Sequence, residues 1–502
     1  MADKLFRDVC MSDSGASFIR IAKQRACTLE IFLRVAALLL SMIAMPGCGY
    51  DSKMKSTMME FDQGQFSSAA TQITPLMAEY SLQDSDGDGK SDAPINGVVF
   101  YLDGGTIQQA AAQYPASVAT YESVWNEISP YLDEKAETKV TEEVAAALTN
   151  QTIRTYRGTG VDRIMLNTYQ SLNYFALGQS EKAAVELRRA QNWQTDFVEK
   201  NQAQIDKETK AFEESGKKNG YDANKTLDDP GFQAVINANY GTLREMRGYS
   251  NYEIPYSTYL RAVNRFATGQ FEQARTTFKR VAEMLPAPAN EEALKDVDMA
   301  GNAANGQTPA QYVFVFVEAG RSPSLKELRL DIPLFIAQVP YVGAAFPLLE
   351  MHNEPSVTSF TVSAADVVTN AALLTDMDAV VAQDFNARLP GIIIATLVSS
   401  ASKAAATYGL QQGMGNWGSI IGAVYQVAAN SADLRCWLTL PKRVLWCRVN
   451  RPESGVISIT MSDGKTIGPV SIPSSPVTVI RVRTVNAGTD PAVMTFTISN
   501  SG

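Results

Sequence analysis

The chain has 502 residues, with 44 Lys+Arg set against 53 Asp+Glu, a formal net charge of −9, and one histidine. That acidic balance argues against nucleic acid as a partner and against a basic membrane-binding surface, since phosphate binding depends on clustered cations. The lone His352 excludes Ser-His-Asp, Cys-His and multi-histidine metal arrangements.

Arg20, Lys23 and Arg25 precede a short apolar run, Leu33-Arg-Val-Ala-Ala-Leu-Leu-Leu-Ser-Met-Ile-Ala-Met-Pro-Gly-Cys48. The run is too short to span a bilayer, and Gly47 supplies the small residue before a cut. The pattern predicts a lipoprotein signal peptide over 1–47, removed to leave Cys48 as the acylated, palmitate-bearing N-terminus. Met45, Pro46 and Arg34 depart from the usual form of such signals. Residues 1–47 hold 6 Lys+Arg and 4 Asp+Glu, so the remainder carries 38 against 49, a net of −11. With Gly49 next to the anchor and no Asp beside it, the expected location is the outer membrane, facing the periplasm. Cys10 and Cys27 fall in the removed segment. Cys436 and Cys447 remain, and an oxidising compartment allows a disulfide between two facing hairpin strands; the alternative is a pair of free buried thiols.

Residues 57–290 are helix-rich and repetitive. The clearest units are Tyr174-Phe-Ala-Leu-Gly178-Gln-Ser-Glu-Lys-Ala183 and Phe266-Ala-Thr-Gly269-Gln-Phe-Glu-Gln-Ala274, with fainter copies at Gly64–Ala69 and Tyr114–Tyr121. Gly permits a tight turn between helices, and Ala lets the pair approach closely. The units resemble the tetratricopeptide repeat (TPR) and predict an irregular helical solenoid over 48–300. Residues 195–230 are expected to form a solvated excursion.

Asp84-Ser-Asp86-Gly-Asp88-Gly89-Lys-Ser-Asp92 places carboxylates at positions 1, 3, 5 and 9 and Gly at 6 of a calcium loop. Ile95 stands where the bidentate Glu belongs, so a structural Ca2+ held by Asp84, Asp86, Asp88 and Asp92 is expected to bind weakly, with help from Asn96 or Asp103. The alternative is a solvated linker.

After a linker at Ala303–Pro309, Tyr312–Val317 is a continuous apolar run of buried-strand length, and Leu325–Ile332 alternates less cleanly. Pro333, Pro340 and Pro347 argue against a transmembrane helix over 333–349. Residues 375–430 return to helix, with two small-residue segments at 391–398 and 419–428 that predict a closely packed buried pair. From Trp437 onward the chain alternates like half-buried strands, with Asp463-Gly464 as a hairpin turn. These features predict an α+β domain over 310–450 and a β-rich extension over 451–502, giving a mainly α protein with a strand-rich terminus. His352 is expected at the surface. Asp376 and Asp378, two apart on a helix, are expected to point apart, so no catalytic residue is assigned.

Three stretches are similar to the uncharacterised TPR lipoproteins of Gram-negative bacteria. They are Thr155-Tyr-Arg-Gly-Thr-Gly-Val-Asp-Arg through Gly178, Leu328–Phe335 with Tyr341–Pro347, and Trp437-Leu-Thr-Leu-Pro441. The resemblance implies location and architecture; the family has no established catalytic residues to carry over. Its members tend to be encoded near lipoproteins resembling activators of penicillin-binding proteins, which implies a setting in cell-envelope assembly. The expected function is a lipid-anchored periplasmic scaffold that holds protein partners in the groove of its repeats. The rivals are a carboxylate-based enzyme acting on glycan or peptidoglycan, and a carbohydrate- or surface-binding protein.

Overall fold

Four helix pairs are joined by one common turn. The computed structural model describes residues 49–82, 97–129, 156–196, 202–218, 220–336, 339–414 and 431–499; Cys48 and the Asp84–Asp92 loop lie outside them. The pairs are α1 (Tyr50–Asp62) with α2 (Phe66–Glu79), α3 (Gly97–Ala110) with α4 (Tyr114–Ile128), α5 (Gly160–Ala176) with α6 (Ser180–Asp196), and α10 (Pro255–Ala267) with α11 (Phe271–Met284). The first helix of each ends at a left-handed residue: Gly64 (φ 73°), Ala112 (φ 59°), Gly178 (φ 70°) or Gly269 (φ 78°). A glutamine follows each time and donates its N–H five residues back, Gln179 to Tyr174 O at 2.8 Å and Gln270 to Arg265 O at 2.8 Å. This six-to-one bond closes the orphan carbonyls of the helix end. Five residues beyond each turn residue, Ala69, Ser117, Ala183 and Ala274 are fully buried where the paired helices close.

Ala112 is the exception in this set, because its Cβ crowds the backbone in the left-handed region. Ala112→Gly is expected to raise stability by about 1 kcal/mol and Gly178→Ala to lower it by about as much. Urea denaturation of the two variants checks both signs.

The segment expected to be solvated folds into a second core instead. Helices α7 (Gln202–Lys218), α8 (Ala223–Leu227) and α9 (Pro230–Glu245) pack with α13 (Met377–Met414). Phe212, Tyr221, Phe232, Ile236 and Tyr240 bury against Phe346, Phe385, Leu389 and Ile393. The charged residues that suggested a solvated excursion occupy the outer faces of short amphipathic helices whose aromatic residues point inward. Segment 391–398 lies within α13; segment 419–428 is outside the described residues. Among the described residues, no helix is long and apolar enough to cross a membrane.

After α12 (Ala289–Ala304) the described residues form eleven strands: β1 (Tyr312–Ala319), β2 (Ser324–Ile336), β3 (Val339–Glu350), β4 (Phe360–Ala364), β5 (Val367–Asn370), β6 (Ala372–Asp376), β7 (Arg443–Asn450), β8 (Val456–Met461), β9 (Thr466–Ser471), β10 (Val477–Thr484) and β11 (Ala492–Ile498). One sheet has the order β11-β10-β1-β7-β6, a second β5-β4-β8-β9, and β2-β3 form a long hairpin. β1 and β10 pair in parallel, Tyr312 opposite Val477 through Ala319 opposite Thr484. Hydrogen bonds of both sheets therefore cross the expected boundary at 450/451, and the terminal strands are no separate extension. Strand alternation divides β1 cleanly. Val313, Val315 and Val317 face the four-stranded sheet, making a sandwich, while Phe314, Phe316 and Glu318 face the helices.

Candidate functional site

The inner face of the repeat array is filled by the chain's own sheet. α3, α5 and α10, the first helices of their pairs, are buried almost all round. Tyr259 on α10 makes edge contacts with Phe314 and Phe316 at 6.1 and 5.8 Å, and Phe175 on α5 stacks on Phe496 at 5.1 Å. The segment before β7 completes the plug. Trp437 sits 5.8 Å from Tyr169 and 6.0 Å from Tyr121 and donates its indole N–H to Thr106 Oγ1 at 2.9 Å and Thr439 Oγ1 at 3.0 Å. A repeat groove of the usual kind would hold its partner at this face.

The seam carries buried charge. Arg481 on β10 donates to both carboxylate oxygens of Glu318 at 2.6 Å, and Tyr256 and Tyr169 donate their hydroxyls to the same carboxylate at 2.8 and 3.1 Å. Burial alone would raise the Glu318 carboxyl, but the Arg481 and Arg483 cations and these hydrogen bonds outweigh it and hold it below the ordinary glutamate value. Arg483 donates to Glu318 O, Thr484 O and Thr439 O, and its guanidinium lies over Phe61 of α1 at 5.3 Å. Asp103 of α3 accepts the Tyr50 hydroxyl and, at 2.9 Å, the Thr439 N–H.

Burial pushes the Asp103 carboxyl up to about 7, against hydrogen bonds from Tyr50 and Thr439 that pull it down. The folded state thus holds this proton more tightly than the unfolded chain, so Asp103 makes stability fall as pH rises from about 4 to 7 and level off above. Asp103→Asn is expected to remove that part of the slope, seen as a smaller decline in melting temperature over this range than in the wild type.

Where the helical array, the hairpin root and α13 meet, a cleft of about 40 Å³ is lined by Tyr156, Asp162, Leu325, Asp384, Arg388 and Cys436, among others. The volume suits a few waters. Thr159 and Asp162 form a reciprocal cap, the Asp162 carboxylate also taking the Tyr156 hydroxyl at 2.5 Å. Arg388 pairs with Asp384 at 2.7 Å, and Arg435 with Asp433 at 2.6 Å. Burial pushes the Cys436 thiol up, which keeps it protonated and unreactive. The bonds named here are local, within the cap of α5, within α13 and within residues 433–435, and they fix these side chains beside the cleft.

Several expected site residues lie apart from this seam or differ from expectation. Cys436 and Cys447 are free thiols, not a disulfide. Residues 431–439 are irregular rather than strand; Cys436 lines the cleft on the helix side, while Cys447 faces the sandwich core opposite Val315. His352 is half-buried, its imidazole pushed down to about 4 by burial, and its carbonyl accepts Lys442 Nζ at 2.9 Å. The side chain is less exposed than expected because Lys442 ties down its carbonyl and Pro355 of the same loop lies beside Gly320. Asp376 caps α13 by accepting the Asp378 N–H at 3.0 Å, and Asp378 pairs with buried Lys442.

Sequence reasoning missed Glu318, Arg481, Arg483 and Trp437 as the seam. The signal was present: Arg481 and Arg483 stand two apart in a strand whose other residues are Val, Ile and Thr, and Glu318 closes an uninterrupted apolar run.

No family model and no curated protein matches the chain. A solved structure of a tetratricopeptide repeat protein from Parabacteroides merdae covers 50% of this chain and 99% of its own, at 13% identity and a TM-score of 0.13. At that score the likeness carries no argument.

Proposed function

We propose that the chain is a lipid-anchored periplasmic TPR scaffold in which the repeat array is a rigid chassis and the partner binds the sandwich, not the groove. One observation supports this reading. β5 is the outer strand of its sheet, bonded only to β4 among the described residues, and its Val367 and Val368 are 63% and 62% exposed. Consecutive strand residues point to opposite faces, so an apolar pair with an open backbone edge fits an added extended segment from a protein partner. Attachment through Cys48 to the outer membrane, a partner in envelope assembly, and a calcium-ordered Asp84–Asp92 loop belong to the same proposal. Of the acid pair considered for the glycan-acting alternative, Asp376 caps a helix and Asp378 pairs with Lys442, engagements that favour the scaffold reading.

A photo-crosslinking residue at 367 or 368 is expected to give one discrete adduct with an envelope protein, and one at exposed Leu294 on α12 to give none. Absence of any adduct at the β5 positions overturns the partner surface. Equal palmitate-analogue labelling of wild type and Cys48→Ser overturns the anchor, and a calorimetric titration without calcium-dependent heat overturns the loop.

A further inference from the structure

We propose that Lys442 and Asp378 condense into an intramolecular amide, a covalent crosslink that fastens the start of α13 to the chain entering β7. The two side chains are 64 positions apart in sequence and meet in the interior, both buried, with Lys442 Nζ in hydrogen-bonding contact with Asp378 Oδ2. The backbone fixes the approach. Asp376 stands opposite Arg443 across β6 and β7, Met377 N–H donates to Lys442 O at 2.9 Å, and Lys442 N–H donates to Ala319 O at 2.9 Å. Gly320 closes over the lysine stem, since a Cβ there would stand 3.1 Å from Lys442 Cβ and 3.0 Å from Pro355 Cβ.

Chemistry and hydrogen-bond counting separate this pair from the other buried ones. Glu318, Asp296 and Asp384 each hold an arginine, whose delocalised guanidinium is a poor nucleophile. Asp378 holds a lysine, whose amine is a good one. An ammonium has three N–H groups to place, and an ionised carboxylate has two accepting oxygens. Among the described residues Lys442 Nζ finds two acceptors, Asp378 Oδ2 and, at 2.9 Å, His352 O, while Asp378 Oδ1 is buried with no partner. As an ion pair the site therefore buries two charges with one donor and one acceptor unmatched, a costly arrangement. The amide carries no charge and a single N–H, for which His352 O is already in place. Burial also pushes the Asp378 carboxyl up to about 6, against the pull of Lys442, and so favours the acid form that the reaction needs.

The step balances within the pair. One proton passes from the ammonium to the carboxylate, and the Nζ lone pair attacks Cγ to form the N–C bond. A second proton moves from nitrogen to the departing hydroxyl, the C–O bond breaks and one water leaves; the third proton stays on the amide nitrogen. No oxidant or outside reagent is needed. In free solution an amine and an acid gain little by condensing, but groups held in contact act at effective molarities of about 10⁵–10⁸ M.

The full chain, purified in its folded state, is denatured and digested without heating, and its peptides are sequenced by mass spectrometry. A branched peptide is expected that joins the Lys442 segment to the Asp378 segment and weighs one water less than their sum. Lys442→Arg keeps the cation but not the nucleophile, and should yield the same two segments as separate linear peptides. Wild-type peptides recovered only in linear form overturn the inference whether or not the variant folds. A branch at Lys442 carried by another acid, such as Asp376 or Glu354, or a branch at Asp378 that persists in Lys442→Arg, overturns it as well.

Discussion

Glu318→Ala is expected to destabilise the fold by about 3–5 kcal/mol, and Arg481→Ala by a similar amount. Either change leaves one buried charge without its partner between α5, α10 and the sheet. Removing Glu318 strands a guanidinium that has lost both 2.6 Å bonds, and it also strands the hydroxyls of Tyr169 and Tyr256. Glu318→Leu with Arg481→Met is expected to recover part of the loss, since an apolar pair of similar volume avoids the desolvation cost of two ions while the Tyr169 and Tyr256 hydroxyls stay without their acceptor. The ion pair also has a pH signature. The Glu318 carboxyl is held below its ordinary value of about 4.5, so its contribution is complete above that value and is lost as pH falls through the folded value. Chemical denaturation of the two single variants and the double variant measures all three figures. Singles within 1 kcal/mol of wild type, or a double variant no better than the worse single, contradict this account of the seam.

The seam also explains what was legible in the sequence and what was not. Three of the four repeat turns are visible as Gly, Gln and a buried Ala at fixed spacing, because a left-handed helix end and a close helix approach are local demands that few residue types meet; Ala112 and Ser117 fill these places in the fourth. β1 is equally visible as Tyr312–Val317, and Gly464, at φ 89°, lies in the turn between β8 and β9. Pairing between distant strands is not local. Nothing adjacent to Val477–Thr484 states that this strand lies parallel to β1, more than a hundred residues upstream, so the terminal strands read as an appendage. Cys436 and Cys447 read as a hairpin pair for the same reason: sequence separation suits a bridge, but Cys436 lies in irregular chain before the strand, and the sheet face on which Cys447 falls depends on the register of β7 against β1. The second core was hidden because α7–α9 carry many charges on the outside and only a few aromatic residues inside.

The filled groove changes how the repeat helices contribute to function. In an open solenoid the inner helices keep polar residues for a ligand, whereas here α5 and α10 present Tyr169, Tyr256 and Tyr259 to the sheet, each fully buried with a hydroxyl partner. Under the proposed reading the partner surface is therefore displaced to an element away from the groove, the β5 edge.

Trp437→Ala is expected to cost about 3–5 kcal/mol and to loosen the array from the sheet. The indole is 2% exposed and touches rings from two helix pairs, Tyr121 of α4 and Tyr169 of α5. Its removal leaves a cavity bounded by rigid helices that cannot collapse into it, and it withdraws a donor from Thr106 of α3. Trp437→Phe separates the two effects. The ring remains and only the N–H is lost, while Thr106 Oγ1 keeps Tyr121 at 2.9 Å and Leu102 O at 3.2 Å, so the expected cost is about 1 kcal/mol. Because the plug holds α3, α4 and α5 on the sheet, Trp437→Ala should also speed amide exchange in these helices more than in α13, which belongs to the second core. Equal acceleration in both places would show global unfolding alone, and would mean that the segment before β7 does not act as the clasp between repeats and sheet.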